Sequence, residues 1–67
     1  MLSARNQFKG TVKSVKLGTV MAEVVVTVGG LEIVSAITRG SAEAMNLKPG
    51  DAVTAVIKST EVLIGKG

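Results

Sequence analysis

Cysteine and histidine are both missing from the 67 residues. Without them there can be no disulfides, no thiolate or imidazole zinc site, no cysteine nucleophile and no imidazole general base. The five acids, Glu23, Glu32, Glu43, Asp51 and Glu61, stand too far apart in sequence to suggest a carboxylate dyad or a calcium or magnesium loop. Neither glycine-rich phosphate motif, Gly-x-x-x-x-Gly-Lys-Ser/Thr or Gly-x-Gly-x-x-Gly, occurs. The chain is therefore not expected to be an enzyme or to hold a bare metal cation. Aromatic side chains are reduced to Phe8, a poor platform for stacking nucleic-acid bases. Long apolar runs are absent too: Val24-Val25-Val26 and Val62-Leu63-Ile64 fall far short of the roughly 18 residues that a membrane-spanning helix needs. No export signal is evident at the start, so the expected location is the cytoplasm, with no membrane partner.

What remains is strongly aliphatic. Apolar residues make up 46% of the chain, nearly all of them Val, Ile, Leu, Ala and Met. So short a chain, read as one domain over residues 1–67, buries a smaller share of its surface than a larger protein does, so association with further copies is expected. Eight Lys and Arg against five acids give a net charge of +3, spread without a basic run. Anionic partners are favoured, either small or polymeric.

Glycine and proline divide the chain into segments of strand length. At the even positions from Val20 to Val28 stand Val20, Ala22, Val24, Val26 and Val28, an apolar face of period two set against Glu23 and Thr27. Gly29-Gly30 suits a two-residue hairpin turn, after which Leu31, Ile33 and Ile37 continue the alternation. Residues 2–17 alternate less well, because Phe8 and Val12 share one parity while Val15 and Leu17 take the other. A bulge or bend near Gly10 or Ser14 would reset the register. Ser41 suits an N-cap for a short helix over residues 42–47, and Lys48-Pro49-Gly50-Asp51 reads as a tight turn. Val53, Ala55 and Ile57 predict the inward face of a fourth strand, and Val62 and Ile64 that of a fifth. The fold class expected is mostly β: a five-stranded oligonucleotide-binding-like barrel with one short helix between strands three and four. An open barrel leaves edges that another chain would cover.

Three clusters of hydrogen-bond donors stand out: Ser3-Ala4-Arg5-Asn6-Gln7, Thr38-Arg39-Gly40-Ser41 and Lys58-Ser59-Thr60. Guanidinium offers paired N–H groups, ammonium a point charge, and hydroxyls and free backbone N–H groups complete an anion's shell. Taken singly, each has a plainer reading: a solvated arm, an ordinary helix cap and a polar loop. Arg39 reads most simply as a surface charge, and Met21 and Met45 as packing residues.

Taken together, Ser3-Ala4-Arg5-Asn6-Gln7-Phe8-Lys9-Gly10, Gly18-Thr19-Val20-Met21-Ala22-Glu23-Val24 and the run from Val53 to Val62 with Lys58-Ser59-Thr60-Glu61 resemble the molbindins, small molybdate-binding proteins also called Mop. The resemblance covers nearly the whole chain, and its most specific part is the opening Ser-Ala-Arg-Asn-Gln combined with Lys-Ser-Thr-Glu-Val. It implies a barrel that exchanges strands within a hexamer, a trimer of dimers, with oxyanions at the subunit interfaces. It further implies that Ser3, Ala4 and Arg5 of one chain meet Thr38, Ser41, Lys58 and Ser59 across such an interface. A second class of oxyanion site near the three-fold axis would use Gly18, Thr19, Val20 and Thr60. Phe8, where a generic apolar residue is expected, and Arg39-Gly40 between Thr38 and Ser41 depart from the family pattern. No helix-turn-helix or ATPase motif is present, which fits a freestanding binder of molybdate or tungstate for intracellular molybdenum storage. The alternative is a small nucleic-acid-binding barrel, which the single aromatic residue disfavours.

Overall fold

The computed structural model describes residues 4–67, so Ser3 lies outside the described residues. Four strands and one short helix follow in order: β1 (Asn6–Leu17), β2 (Met21–Val28), β3 (Leu31–Thr38), α1 (Arg39–Ala44) and β4 (Ala52–Ile57), then a single 3-10 turn at Ser59–Glu61. The strands form one antiparallel sheet in the order β3-β2-β1-β4.

β1 organises the sheet because it serves two partners in succession. Its first half, from Asn6 to Thr11, pairs with β4, while its second half, from Thr11 to Leu17, pairs with β2. The predicted bulge is present: the β1–β2 register slips between Val12 and Ser14, leaving Lys13 as the extra residue. That one residue puts Val12 and Val15 on the same face, opposite Val26 and Val24. At Gly10, where β1 leaves β2, an added Cβ would strike the Thr27 carbonyl oxygen and lie 2.9 Å from Val28 Cγ2. Only glycine allows the strands so close there.

The core is small and aliphatic. Val12, Val24 and Val26 are buried, and Val15, Val28, Ile37, Leu47 and Val53 pack around them. Ala22 and Ala42 are also buried, with Ala42 the inward residue of α1. The even-numbered face of β2 is therefore as the alternation predicts, except at its start, where Val20 lies outside the strand and is 70% exposed. Leu31 likewise departs from its expected place on the inward face and is exposed, because it sits at the hairpin end of β3 with no neighbour above it. The hairpin itself has a positive φ of 59° at Gly29 and joins Val28 to its partner Leu31. Gly50, at φ 95°, takes the third position of the expected tight turn, closed by the Asp51 N–H on the Lys48 carbonyl at 3.1 Å.

Two expectations need correcting. The helix spans Arg39–Ala44, not residues 42–47, and its N-cap is Thr38, not Ser41. Thr38 ends β3 in extended geometry, and its Oγ1 accepts the Ser41 N–H at 3.1 Å, so the helix begins as soon as the strand stops. It ends early because Asn46 adopts φ 50°: the Asn46 N–H donates to the Glu43 carbonyl and the Leu47 N–H to the Ala42 carbonyl, the paired bonds of a Schellman cap. The second correction is the fifth strand. Residues 62–64 form none in this chain, and Leu63 and Ile64 are 91% and 90% exposed. Alternating apolar residues describe a strand's faces, but a strand also needs an edge that offers N–H and C=O groups, and this segment meets none here. The sheet is thus four-stranded and open: β3 and β4 are its edge strands and do not pair with each other, and an apolar groove of about 710 Å³ lies between them. Among the described residues, no helix is long and apolar enough to cross a membrane.

Candidate functional site

The predicted donors gather into two groups at opposite ends of β1. At its beginning, the β1–β4 ladder closes on the pair Asn6 and Ile57, so Arg5 and Lys58 are the next residues beyond it on each side. Gln7 ties this opening segment down. Its backbone N–H donates to the Arg5 carbonyl at 3.1 Å and its side-chain Nε2 to the Ala4 carbonyl at 2.5 Å. Opposite, the 3-10 turn consumes the Lys58 carbonyl through the Glu61 N–H at 2.9 Å and the Ser59 carbonyl through the Val62 N–H at 3.4 Å. With these acceptors occupied inside the chain, the exposed groups include the guanidinium, the ammonium and the hydroxyls of Ser59 and Thr60. Neither Arg5 nor Lys58 forms an ion pair among the described residues.

The other end holds Thr38, Ser41 and the turn of Gly18, Thr19 and Val20. The Thr38 hydroxyl donates to Ser41 Oγ at 2.8 Å, which fixes the two side chains relative to each other. The Arg39 N–H donates to the Val20 carbonyl at 2.8 Å and Arg39 Nη1 to the Gly18 carbonyl at 3.2 Å. Arg39 also lies 3.5 Å from Glu43 one helical turn on. β1 has 12 residues, at most about 40 Å of extended chain, and among the described residues no hydrogen bond or ion pair joins the two groups. Thr60 lies with Lys58 and Ser59, apart from the turn at Gly18, Thr19 and Val20.

Both groups are rich in donors. They contain no cluster of three metal-ligating side chains, nor does any other part of the described residues. Such surfaces suit a ligand whose every atom accepts hydrogen bonds. The sequence offers Gln7 and Arg39 as members of donor clusters, and the structure gives each a partner within the chain. Their roles rest on contacts over 3 and 21 residues, of which only the first has a span readable as a local turn.

A family model described as TOBE domain matches residues 2–64. Molybdenum-pterin-binding protein 3 of Clostridium pasteurianum is 52% identical over 64 residues, covering 94% of each chain. The chain belongs to the molbindin family. This molbindin chain superimposes on the molybdate-binding protein of Sporomusa ovata with a TM-score of 0.93 at 45% identity, covering 98% of both chains. It also matches ModG, a cytoplasmic molybdate-binding protein solved with molybdate bound, with a TM-score of 0.83 at 45% identity over 88% of this chain and 43% of that one. The family model spans all four strands and the helix of this molbindin chain.

Proposed function

We propose that this chain, a single domain over residues 1–67, binds molybdate, and tungstate in the same way, at interfaces between copies of itself, and serves intracellular molybdenum storage in the cytoplasm. The observation that carries this reading is the separation of the donors. Ala4, Arg5, Lys58 and Ser59 stand at one end of β1 and Thr38 and Ser41 at the other, so a second chain is what could bring them around one ion. Ser3, beside Ala4 in sequence, is proposed as a further donor to the same ion.

The assembly proposed is a hexamer, a trimer of dimers. Its strand exchange would give residues 62–64 the edge they lack and complete the five-stranded barrel. The exposed Leu63 and Ile64, and the open groove beside β3 and β4, support that arrangement. The second class of site would use Gly18, Thr19 and Val20 with Thr60 of a neighbouring copy.

Selectivity follows from proton bookkeeping. Molybdate and tungstate are fully deprotonated dianions at neutral pH, so all four oxygens accept. Hydrogen phosphate carries a proton that needs an acceptor, and leaving it buried and unpaired costs about 1–3 kcal/mol. Glu43, on the same helix as Ser41, is already engaged by Arg39. A carboxylate reaching the ligand would undo the discrimination.

Equilibrium dialysis of the full-length protein against molybdate, sulfate and a short single-stranded oligonucleotide tests the reading. Uptake of molybdate without the oligonucleotide is expected, with sulfate, an equally proton-free dianion, reporting whether the site also discriminates by size, whereas retention of the oligonucleotide would favour a nucleic-acid-binding barrel. Arg5→Ala should weaken the interfacial site by about 2–5 kcal/mol, because it leaves a dianion undercompensated. An unchanged isotherm in that variant would remove Arg5 from the site.

A further inference from the structure

The turn between β1 and β2 shows an uneven use of its backbone. Every hydrogen bond that Gly18, Val20 and Met21 accept comes from the protein: the Gly18 N–H donates to the Met21 carbonyl at 2.7 Å, the Arg39 N–H to Val20 and the Arg39 side chain to Gly18. The N–H groups of Thr19 and Val20, by contrast, donate to no acceptor among the described residues, and both residues are exposed. A turn in which the Gly18, Val20 and Met21 carbonyls are held, that of Thr19 alone having no donor among the described residues, and in which two consecutive N–H groups are free presents positive dipole ends to solvent. One residue creates most of that bias. Arg39 occupies two of the three carbonyls, once through its main chain and once through its guanidinium.

We infer that Arg39 is a positioning residue for oxyanion binding at this turn, holding the Gly18 and Val20 carbonyls away from the ligand so that the Thr19 and Val20 N–H groups face it. The inference rests on the molybdate reading and adds a residue to its second class of site. Arg39 need not touch the ion to act. Were the guanidinium lost, the Gly18 carbonyl would be free to rotate toward an approaching dianion, replacing attraction with repulsion. The geometry tolerates little drift, since a Cβ at Gly18 would already lie 2.9 Å from the Met21 oxygen that its own N–H engages. Glu43, 3.5 Å from the Arg39 Nε, steadies the side chain from the helix side and is the one acid paired with it. No Lys or second Arg hydrogen-bonds to the turn among the described residues, so Arg39 is the cation that holds it.

The test is calorimetric titration of the full-length protein with sodium molybdate, run beside amide hydrogen exchange on the ligand-free protein. Wild type, Arg39→Ala, Arg39→Lys and Arg5→Ala are compared. Arg39→Ala should lower the affinity of the class of sites that survives Arg5→Ala by about tenfold, the effect of one charge-assisted hydrogen bond, and leave the other class intact. In the same variant the Gly18 and Arg39 amides should exchange faster, while Arg39→Lys, which retains one donor and the charge, recovers much of both losses. An Arg39→Ala isotherm matching wild type overturns the inference alone. Weakened binding with unchanged amide exchange also overturns it, since Arg39 would then act as a distant charge. Should Arg39→Ala fail to assemble, Arg39→Lys decides: wild-type binding together with altered exchange would overturn the link between turn geometry and affinity. Wild-type protein that takes up no molybdate overturns the underlying reading and this one with it.

Discussion

At Gly10 a hydrogen atom stands where any other side chain would meet backbone. The Thr27 carbonyl blocks a Cβ on one side, and Val28 Cγ2 and Val26 Cγ1 lie 2.9 and 3.0 Å away. Gly10→Ala relieves the unfolded chain of some entropy, a gain of about 0.4–1 kcal/mol. The clash outweighs it, because a backbone carbonyl in a ladder cannot swing aside as a side chain can. A net loss of about 1–3 kcal/mol is expected, visible as a lower urea midpoint with unchanged slope at fixed protein concentration. A variant at least as stable as wild type would mean that β1 and β2 do not approach as described. The sequence singles out Gly10 as a possible site of bend or bulge. The slip itself is at Lys13, and what glycine provides is room for the neighbouring strand. Arg5 and Lys58 were legible as donors because their chemistry is intrinsic. Arg39 is legible as a donor too, but its partner is not, because the contact with Gly18 is one that no local pattern encodes.

The helix shows how elements compete for their ends. From sequence, Ser41 is the cap and the helix is expected to follow it. The structure chooses Thr38 because β3 delivers it in extended geometry, with its main chain at φ −70° and ψ 148° and its hydroxyl within 3.1 Å of the Ser41 N–H. Thr38→Ala should therefore lower ligand-free stability by about 0.5–2 kcal/mol, while Thr38→Ser preserves it. Because Thr38 is also a proposed ligand donor, molybdate affinity should fall in the alanine variant and persist in the serine variant. Melting curves with and without molybdate read both effects, and equal losses in the two variants would deny the cap its role. The strands were more legible than the helix. Their period-two faces put Ala22, Val24 and Val26 inside as expected, and the parity change between Val12 and Val15 required the irregularity found at Lys13.

On the scale of the whole molecule, five hydrophobic residues are buried among the described residues, which is little for a chain that leaves Val20, Leu31, Val34, Leu63 and Ile64 mostly in water. Burying that surface against further copies is the stabilising step the proposal requires. Melting temperature should then rise with protein concentration, and further with the logarithm of molybdate concentration, by about 2.7 kcal/mol of added stability at a hundredfold excess over the dissociation constant. Light scattering gives the mass at each concentration. A protein that stays monomeric and melts at one temperature throughout would defeat the interfacial site, since the donors at the two ends of β1 would have nothing to join them. The sequence by itself determined the chemical vocabulary of this chain, donors without imidazole or thiol, and the faces of its strands, because side-chain chemistry and period-two alternation are local properties. Only the tertiary structure decided that the last apolar segment forms no strand within the chain, that Thr38 starts the helix and that Arg39 clasps the turn at Gly18. Each of those depends on which backbone edge or carbonyl the folded chain brings within hydrogen-bonding reach, and distance in space is not written along the chain.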